Sequence, residues 1–402
     1  MKAIHESLIT PIKYECDVCV AGGGVAGIAA AVAAARRGAS VILLERGFML
    51  GGLATAGIVT IYLPLCDGMG NQVTFGLADE LFRLSIEHGA EDRYPTAWLD
   101  GDSIEKRREQ RLEVQFNPQL FAISAERLLR SLGVKILYGA PIVAVNKADG
   151  KITEVIIEGK GGREAISVKS VVDATGDADV CKLSGEDTVL FKQGNVLAAW
   201  YYGYGGGEYR LNMCGFCDVP EEERAEGQET PMLVNRRFGG LDTAELSEMV
   251  QLSHSAIESN ILSQRGETPD LVPVTFGTIP QIRMTRRIDG ATTLDTAFDR
   301  RRFEDSVGTF SNWKRRGPIY ELPLSSLYGR RVKNLITAGR CISATEAMWD
   351  VTRVIPVCAV SGEAAGAAAA ACDNFATVNV AELQAYLRTQ GVKIHVDELV
   401  LN

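Results

Sequence analysis

A glycine-rich turn between two apolar strands near the N-terminus is the feature that most constrains the fold. Residues 14–46 read YECDVCVAGGGVAGIAAAVAAARRGASVILLER. The short apolar run Cys16–Ala21 is typical of a buried parallel strand. An Ala-rich stretch of high helix propensity follows at Ile28–Arg37, with Gly38 where a helix C-cap belongs. A second apolar run, Val41–Leu44, completes the pattern, which predicts a βαβ unit of an α/β fold.

The glycines of this turn have the spacing of a dinucleotide-binding site. Gly22, Gly24 and Gly27 form G-x-G-x-x-G directly after the first strand. The first allows a tight turn, the second a close approach to a pyrophosphate, and the third close packing of helix on sheet. Glu45 ends the second strand, where a carboxylate accepts from ribose hydroxyls. The sequence therefore predicts a Rossmann-like domain that binds an ADP-containing cofactor.

Three further segments indicate which ADP-containing cofactor the domain binds. A second glycine pair, Gly51-Gly52, lies in RGFMLGGLATAG. In the segment Ser170–Gly176, a strand runs into Ala174-Thr175-Gly176. The segment Asn334–Ala371 reads as a strand, Gly339-Arg340 and a small-residue helix. Together they resemble the superfamily of the fumarate reductase flavoprotein and glutathione reductase. More narrowly, the chain is similar to a bacterial FAD-dependent oxidoreductase family.

The resemblance implies non-covalently bound FAD. The segment with Gly51-Gly52 would pass beneath the ribityl chain and flavin, and the helix after Val354 would point its N-terminus at the flavin pyrimidine. Many relatives have Gly-Asp where this chain has Gly339-Arg340. The residues predicted to contact FAD are Gly22, Gly23, Gly24, Val25, Ala26, Gly27, Glu45, Arg46, Gly51, Gly52, Leu53, Thr55, Val143, Ala174, Thr175, Gly176, Gly339, Arg340, Val354 and Ile355.

Three arginines are the candidate catalytic residues. Arg283 and Arg286 lie in IPQIRMTRRIDG, which resembles a family motif in which an arginine pair reaches a carboxylate or hydroxyl-rich substrate. A domain-interface salt bridge is the alternative for both. Arg353, just before the last helix, could bind an anion or polarise a carbonyl, or pair with Asp350. No histidine lies in the flavin motifs, which leaves Arg, Glu, Asp or Tyr as the proton carrier.

Cys214 and Cys217 suggest a second function. A C-x-x-C pair in a flavoprotein is typical of a redox-active disulfide, so a flavin-linked dithiol/disulfide oxidoreductase is one alternative. The glycine cluster 203–207 lacks the strand, helix and acid of a second dinucleotide site, which disfavours a resident nicotinamide domain. No second Cys/His pair with ligand spacing is present, so no metal site is predicted. Another alternative is a protein that binds FAD without turnover.

Composition indicates a soluble, cytoplasmic protein. The nine cysteines are odd in number and scattered through apolar runs, which indicates reduced thiols. The net charge of −9 over 402 residues disfavours a nucleic-acid partner, and no apolar run has the length of a membrane span. The expected partners are a small polar substrate and an unidentified electron donor or acceptor. The oligomeric state stays open, with a homodimer among the possibilities.

The three flavin motifs are widely separated, which predicts a discontinuous domain. Residues 1–75, 118–185 and 325–402 are expected to form the Rossmann-like FAD-binding domain. Residues 76–117 and 186–324 are expected to form an inserted α+β cap over the cofactor. The predicted fold class is therefore α/β, with the substrate held between the FAD domain and the cap.

Overall fold

The structure, a computed structural model, describes residues 3–215 and 232–402. Its strands are β1 (Ile12–Ala21), β2 (Val41–Glu45), β3 (Ile61–Tyr62), β4 (Ala90–Asp92), β5 (Val114–Phe116), β6 (Lys135–Tyr138), β7 (Ile142–Ala148), β8 (Lys151–Gly159), β9 (Gly162–Asp173), β10 (Thr188–Leu190), β11 (Ala199–Gly205), β12 (Glu208–Cys214), β13 (Val272–Phe276), β14 (Arg286–Ile288), β15 (Ser306–Ser311), β16 (Ile319–Pro323) and β17 (Leu335–Thr337). Its α-helices are α1 (Val25–Arg36), α2 (Leu77–Ser85), α3 (Thr96–Leu99), α4 (Ile104–Glu109), α5 (Pro118–Ser131), α6 (Asp179–Ser184), α7 (Thr243–Gln264), α8 (Glu346–Thr352), α9 (Ile355–Ala371) and α10 (Val380–Thr389).

The central sheet confirms the predicted Rossmann-like α/β class. Strands β6, β2, β1, β9 and β17 run parallel, with Val18 beside Val41 on one side and Ser170 on the other. The long strand β9 also pairs with β8 along its first half, and β8 pairs with β7, both antiparallel. The carboxyl ends of β1, β2, β9 and β17 therefore meet at one edge, where α/β sheets bind ligands.

Helices α1 and α9 pack directly on each other against this sheet. Their sequences are rich in Ala and Gly, so their backbones can approach closely. A Cβ added to Gly362 would come within 2.2 Å of the Ala26 carbonyl oxygen, and one on Gly366 within 2.0 Å of the Ala30 oxygen. This packing brings the N-terminus of α9 beside the glycine turn that precedes α1.

The remaining strands form small antiparallel sheets. Strands β12, β11 and β13 make a three-stranded sheet covered by α7, and the pairs β10–β14 and β15–β16 are two-stranded. Helix α2 and the β15–β16 hairpin, from stretches assigned to the cap, bury side chains in the same core as α1 and α9. The boundaries of the FAD domain and cap stay a prediction.

Several helix ends follow their sequence signals. Helix α5 begins at Pro118, and the Asn117 side chain accepts from the amides of the first turn. Asp242 caps α7 in the same way. Among the described residues, no single helix combines the length and apolarity of a membrane span; α8 and α9 pass that test only as a pair, across a bend of 87°.

Glu363 is a buried carboxyl in α9 and leads to a prediction about stability. Burial raises its pKa from 4.5 to about 8, although the Leu77 amide at the start of α2 donates to it at 2.7 Å. The folded chain thus keeps its proton between pH 4.5 and about 8, where the unfolded chain releases it. The contribution of Glu363 to unfolding free energy is therefore full below pH 4.5 and lost as the pH rises to about 8.

We expect Glu363→Gln to remove this pH dependence. The amide oxygen still accepts from Leu77, so the variant should unfold like the parent at pH 4.5 and be more stable by a few kcal/mol at pH 9. Urea unfolding of the FAD-saturated protein at both pH values measures this. Glu304→Gln, at an exposed glutamate, should keep the parental change in unfolding free energy between the two pH values. The same change in the parent and in Glu363→Gln would contradict the prediction.

Candidate functional site

The first glycine turn is built by close backbone approaches at the edge of the sheet. Gly22 has φ +104°, and a Cβ there would lie 2.5 Å from the Ala174 carbonyl oxygen. A Cβ on Gly27 would lie 1.8 Å from the Gly22 oxygen. Any side chain at these two positions would collide with the turn itself. Both glycines are therefore required by the fold.

Gly24 is different, because the protein alone does not require a glycine there. Its φ of −67° is ordinary for any residue, and a Cβ at this position would meet nothing within 4 Å. Gly24 is also the N-cap of α1 and has no side chain to cap the free N–H groups of the first turn. An open space in front of a helix N-terminus fits a pyrophosphate. The turn thus has the shape and donors that the ADP half of FAD requires.

Glu45 both holds this turn and faces its open side. One carboxylate oxygen accepts from the Gly23 amide at 2.9 Å, and the other accepts from the Gly47 amide at 2.6 Å. A carboxylate has about four acceptor positions, so two are left for ribose hydroxyls. The neighbouring Arg46 is exposed. The geometry accommodates the predicted ribose contact.

Replacing Glu45 should weaken cofactor binding more than folding. We expect Glu45→Ala to raise the Kd for FAD by about tenfold to a hundredfold, because charge-assisted hydrogen bonds contribute about 1.5–3 kcal/mol each. Fluorescence titration of the apoprotein with FAD measures this. Glu15→Ala, an exposed acid on the same strand–helix–strand unit, serves as the control. An unchanged Kd would show that Glu45 makes no ribose contact.

The second glycine pair lies directly against the first turn. The Gly51 amide donates to the Gly23 carbonyl at 2.8 Å, and Gly51 and Gly24 form an isolated parallel bridge. Gly51 and Gly52 have φ of +102° and +56°, and a Cβ on Gly52 would lie 3.2 Å from the Gly24 Cα. Leu53 and Thr55 continue this turn, with the Thr55 hydroxyl bonded to a carbonyl five residues earlier. The two predicted segments therefore form one continuous backbone surface.

The Ala-Thr-Gly segment reaches the same edge from β9. The Ala174 amide donates to the Ala21 carbonyl at 2.9 Å, beside the first turn. The buried Asp173 carboxylate accepts from the Thr175 hydroxyl at 2.7 Å and from the Cys181 amide at 2.9 Å. These bonds fix Thr175 and Gly176 at the end of β9. Asp173 was not among the predicted site residues, and its role here is to shape the turn.

The third motif brings α9 to the site. The Gly339 amide donates to the Ser361 hydroxyl of α9 at 2.9 Å, and a Cβ on Gly339 would lie 2.8 Å from that of Ala26. Helix α9 begins after Val354, whose apolar side chain provides no cap, and Ile355 is its first residue. The N-termini of α1 and α9 thus converge on the turn at Gly339. Two helix N-termini at one place favour a negatively charged ligand.

Arg340 occupies the position where many relatives have aspartate. Its guanidinium donates to the Arg283 carbonyl at 2.8 Å and to the Asp177 carboxylate at 3.2 Å. It therefore connects three separate segments at the site.

Val143 is the predicted contact in β7. It follows residues 139 and 140, whose amides donate to the carbonyls of residues 47 and 45.

Arg286 forms an ion pair across the site. Its Nε donates to the Asp177 carbonyl at 2.9 Å and its Nη2 to the Asp179 carboxylate at 2.7 Å. Burial, with the charges of Asp177 and Asp173, raises the pKa of Asp179 to about 6, while Arg286 opposes that shift. Arg286 thus makes a salt bridge with a residue of another element, and its substrate role stays a prediction.

The other two candidate arginines, Arg283 and Arg353, have different partners. Arg283 is buried, with its guanidinium 5.1 Å from the Trp200 ring centroid. Arg353 pairs with the fully buried Asp350, Nε to Oδ1 at 2.7 Å, and Lys314 pairs with the other oxygen of that carboxylate. Asp350 was the alternative partner weighed for Arg353. Arg353 and Lys314 thus both bind the Asp350 carboxylate just before α9.

A cavity of about 250 Å³ lies next to the second glycine segment. Its walls come from α7, from the start of β11 and from the chain after β13. The Thr278 amide donates to the Ala56 carbonyl at 2.7 Å, and the Gln281 side chain donates to the Gly57 carbonyl at 2.6 Å. Both are lining residues, so the cavity is attached to the chain that continues from Gly51 and Gly52.

His254 lines this cavity and was missed by sequence reasoning. It lies on α7 with its ring centroid 4.9 Å from that of Phe276, edge to face. The available signal was helical spacing: Met249, Ser253 and His254 share one face of α7. That spacing does not identify which face of a helix borders a cavity, so it could not single out His254, which lies outside every flavin motif.

Cys214 lies at the end of β12, with its side chain half-buried. It packs with the cluster of Ala199, Tyr201 and Ile257 under α7, and burial raises the pKa of its thiol. A raised pKa reduces the thiolate fraction that a redox cysteine needs. Cys217 lies outside the described residues. Among residues 3–215 and 232–402, no group of His, Cys, Asp or Glu has the arrangement of a metal site.

A Cys214→Ser variant tests the dithiol alternative. Because the thiol packs under α7 and its pKa is raised, we expect the rate of flavin reoxidation by substrate to change less than twofold. Stopped-flow absorbance under anaerobic conditions measures that rate, with Cys372→Ser as a control at another half-buried thiol. A loss of reoxidation in the Cys214 variant alone would favour the dithiol mechanism.

Comparison with known proteins gives one match across most of the chain. A family model described as FAD dependent oxidoreductase matches residues 17–196 and 203–387. A vinyl phenol reductase of Lactiplantibacillus plantarum is 28% identical over 186 residues, which are 40% of this chain and 37% of that protein. The match therefore spans little more than a third of the relative's length.

Solved structures of low identity also align. A geranylgeranyl bacteriochlorophyll reductase-like protein of Thermoplasma acidophilum is 12% identical, with 94% of this chain and 82% of that chain covered and a TM-score of 0.45. An L-amino acid deaminase of Proteus myxofaciens is 16% identical, with 92% of each chain covered and a TM-score of 0.43.

Proposed function

We propose, since the chain belongs to the FAD dependent oxidoreductase family, that it oxidises or reduces a small molecule bound in the cavity beside Gly57. FAD is the cofactor of this family, and when bound it supplies the redox chemistry. The substrate would lie between the FAD domain and the cap formed by α7, β11 and β13. The substrate predicted from the sequence is a small polar molecule, and a cavity of this size accepts only a small ligand.

The observation that supports this proposal most is the attachment of the cavity to the flavin motif. Thr278 and Gln281 line the cavity and bind the carbonyls of Ala56 and Gly57. Those carbonyls belong to the segment that starts at the second glycine pair. A molecule in the cavity is therefore held against the part of the chain expected beneath the flavin.

The chain's own residues then have separate tasks. The glycine turns and the N-terminus of α1 bind the pyrophosphate, and Glu45 binds the ribose. The N-terminus of α9, whose first-turn N–H groups have no side-chain cap, stabilises negative charge next to it. The cavity walls exclude water from the reacting atoms. His254, at the cavity, holds or delivers a proton to the substrate.

Anaerobic spectroscopy of the purified holoprotein tests the proposal. Candidate donors should bleach the yellow absorbance of oxidised FAD, and candidate acceptors should restore it after chemical reduction. A vinyl phenol belongs in the acceptor panel, because the relative from Lactiplantibacillus plantarum is a vinyl phenol reductase. Protein that stays colourless after reconstitution with FAD would overturn the proposal.

A further inference from the structure

Building on the proposed function, we propose that the cavity selects an uncharged molecule with a planar apolar body and one polar group held at the entrance. This assigns a substrate class to the cavity and excludes carboxylates and sugars as its preferred ligands. The inference comes from how polarity, burial and charge are distributed over the lining.

The inner wall of the cavity is apolar. Ala198 and Trp200 are each 5% exposed, and Met249 is 1% exposed. The buried polar side chain here, Gln281, is already committed: its amide nitrogen donates to the Gly57 carbonyl at 2.6 Å, and its oxygen accepts from Arg283. A polar or charged group pushed against this wall would lose its water without gaining a new partner, which is unfavourable.

The entrance is where a polar group finds partners. His254 and Thr278 are exposed, and Phe276 is 41% exposed. The imidazole and the Thr278 hydroxyl can donate or accept beside water. The Phe276 and Trp200 rings supply flat apolar surfaces on which a planar body can pack. Exposed polar and aromatic side chains therefore lie at the entrance, and buried apolar side chains form the inner wall.

Charge is missing from the lining that the structure describes. None of the lining residues from 3–215 and 232–402 is Asp, Glu, Lys or Arg. The nearby Arg283 guanidinium is placed over the Trp200 ring at 5.1 Å and does not line the cavity. A carboxylate in this cavity would contact no charged side chain among the described lining residues. The volume of about 250 Å³ is below the usual range for drug-sized ligands, so a compact ring system is the expected occupant.

A matched pair of probes tests this selectivity. Isothermal titration of the oxidised holoprotein with p-cresol and with 4-methylbenzoate compares two molecules of similar shape that differ in charge. We expect p-cresol to bind at least tenfold more tightly at neutral pH. Equal or tighter binding of 4-methylbenzoate would overturn the inference.

A charge introduced into the lining should change the preference. Ser253→Lys places an ammonium in the cavity, whereas Ser255→Lys places the same group on the exposed face of α7. We expect the affinity for 4-methylbenzoate to rise at least tenfold in the first variant and to stay parental in the second. If Ser253→Lys leaves both probe affinities unchanged while its FAD content is parental, the probes bind elsewhere and the inference fails.

Turnover separates this inference from the proposed function. If carboxylate substrates are turned over with lower KM than neutral ones, the inference fails while the oxidoreductase function stands. If p-cresol binds selectively but no compound changes the redox state of FAD, the proposed function fails and the selectivity of the cavity stands.

Discussion

A Gly24→Ala variant is expected to fold like the parent and to lose at least about 99% of its affinity for FAD. The backbone at Gly24 is in a region that alanine adopts freely, and the added methyl group meets no protein atom within 4 Å. The same methyl group fills the space in front of the α1 N-terminus. A pyrophosphate displaced from those amides loses several charge-assisted hydrogen bonds, on the order of 3 kcal/mol in total.

Two other glycines make this test specific. Gly161→Ala adds a methyl group at another position where a Cβ meets nothing within 4 Å, in the turn between β8 and β9, and should leave the Kd for FAD unchanged. Gly27→Ala should prevent folding, because its Cβ would lie 1.8 Å from the Gly22 oxygen. Thermal unfolding of the apoproteins and titration with FAD separate the three results. A Gly24→Ala variant with parental affinity would show that the pyrophosphate binds elsewhere.

The cofactor half of the site was predictable from sequence because it is encoded locally. The strand, glycines, helix, second strand and Glu45 lie within 35 residues, and each needs only its neighbours in sequence to be recognised. The small residues of α9 likewise indicate a helix that packs closely. Their consequence, the contact of Gly362 with Ala26, joins segments more than 330 residues apart.

The proposed substrate cavity was not predictable in the same way, because it depends on tertiary packing. Arg286 pairs with Asp179 and Arg353 with Asp350. For Arg353 the partner is three residues away and was weighed beforehand; for Arg286 it lies on another element. His254 borders the cavity because α7 packs against β11, a contact between segments well separated in sequence. Amphipathic spacing predicts that such a face exists but does not identify the residues that it contacts.

Filling the cavity should abolish catalysis without affecting the cofactor. Ser253 lines the cavity from α7 and is half-buried, so Ser253→Trp directs an indole into a space of about 250 Å³. We expect kcat/KM to fall at least about 100-fold, which corresponds to about 2.7 kcal/mol of lost transition-state stabilisation, while FAD content and the flavin spectrum stay parental. Ser255→Trp puts the same side chain on the exposed face of α7 and should keep parental kinetics. Steady-state assays with whichever substrate changes the redox state of FAD measure both variants. If Ser253→Trp turns over at the parental rate, the reaction takes place outside this cavity, and the FAD site with its two glycine turns would have to be served by a different substrate entrance.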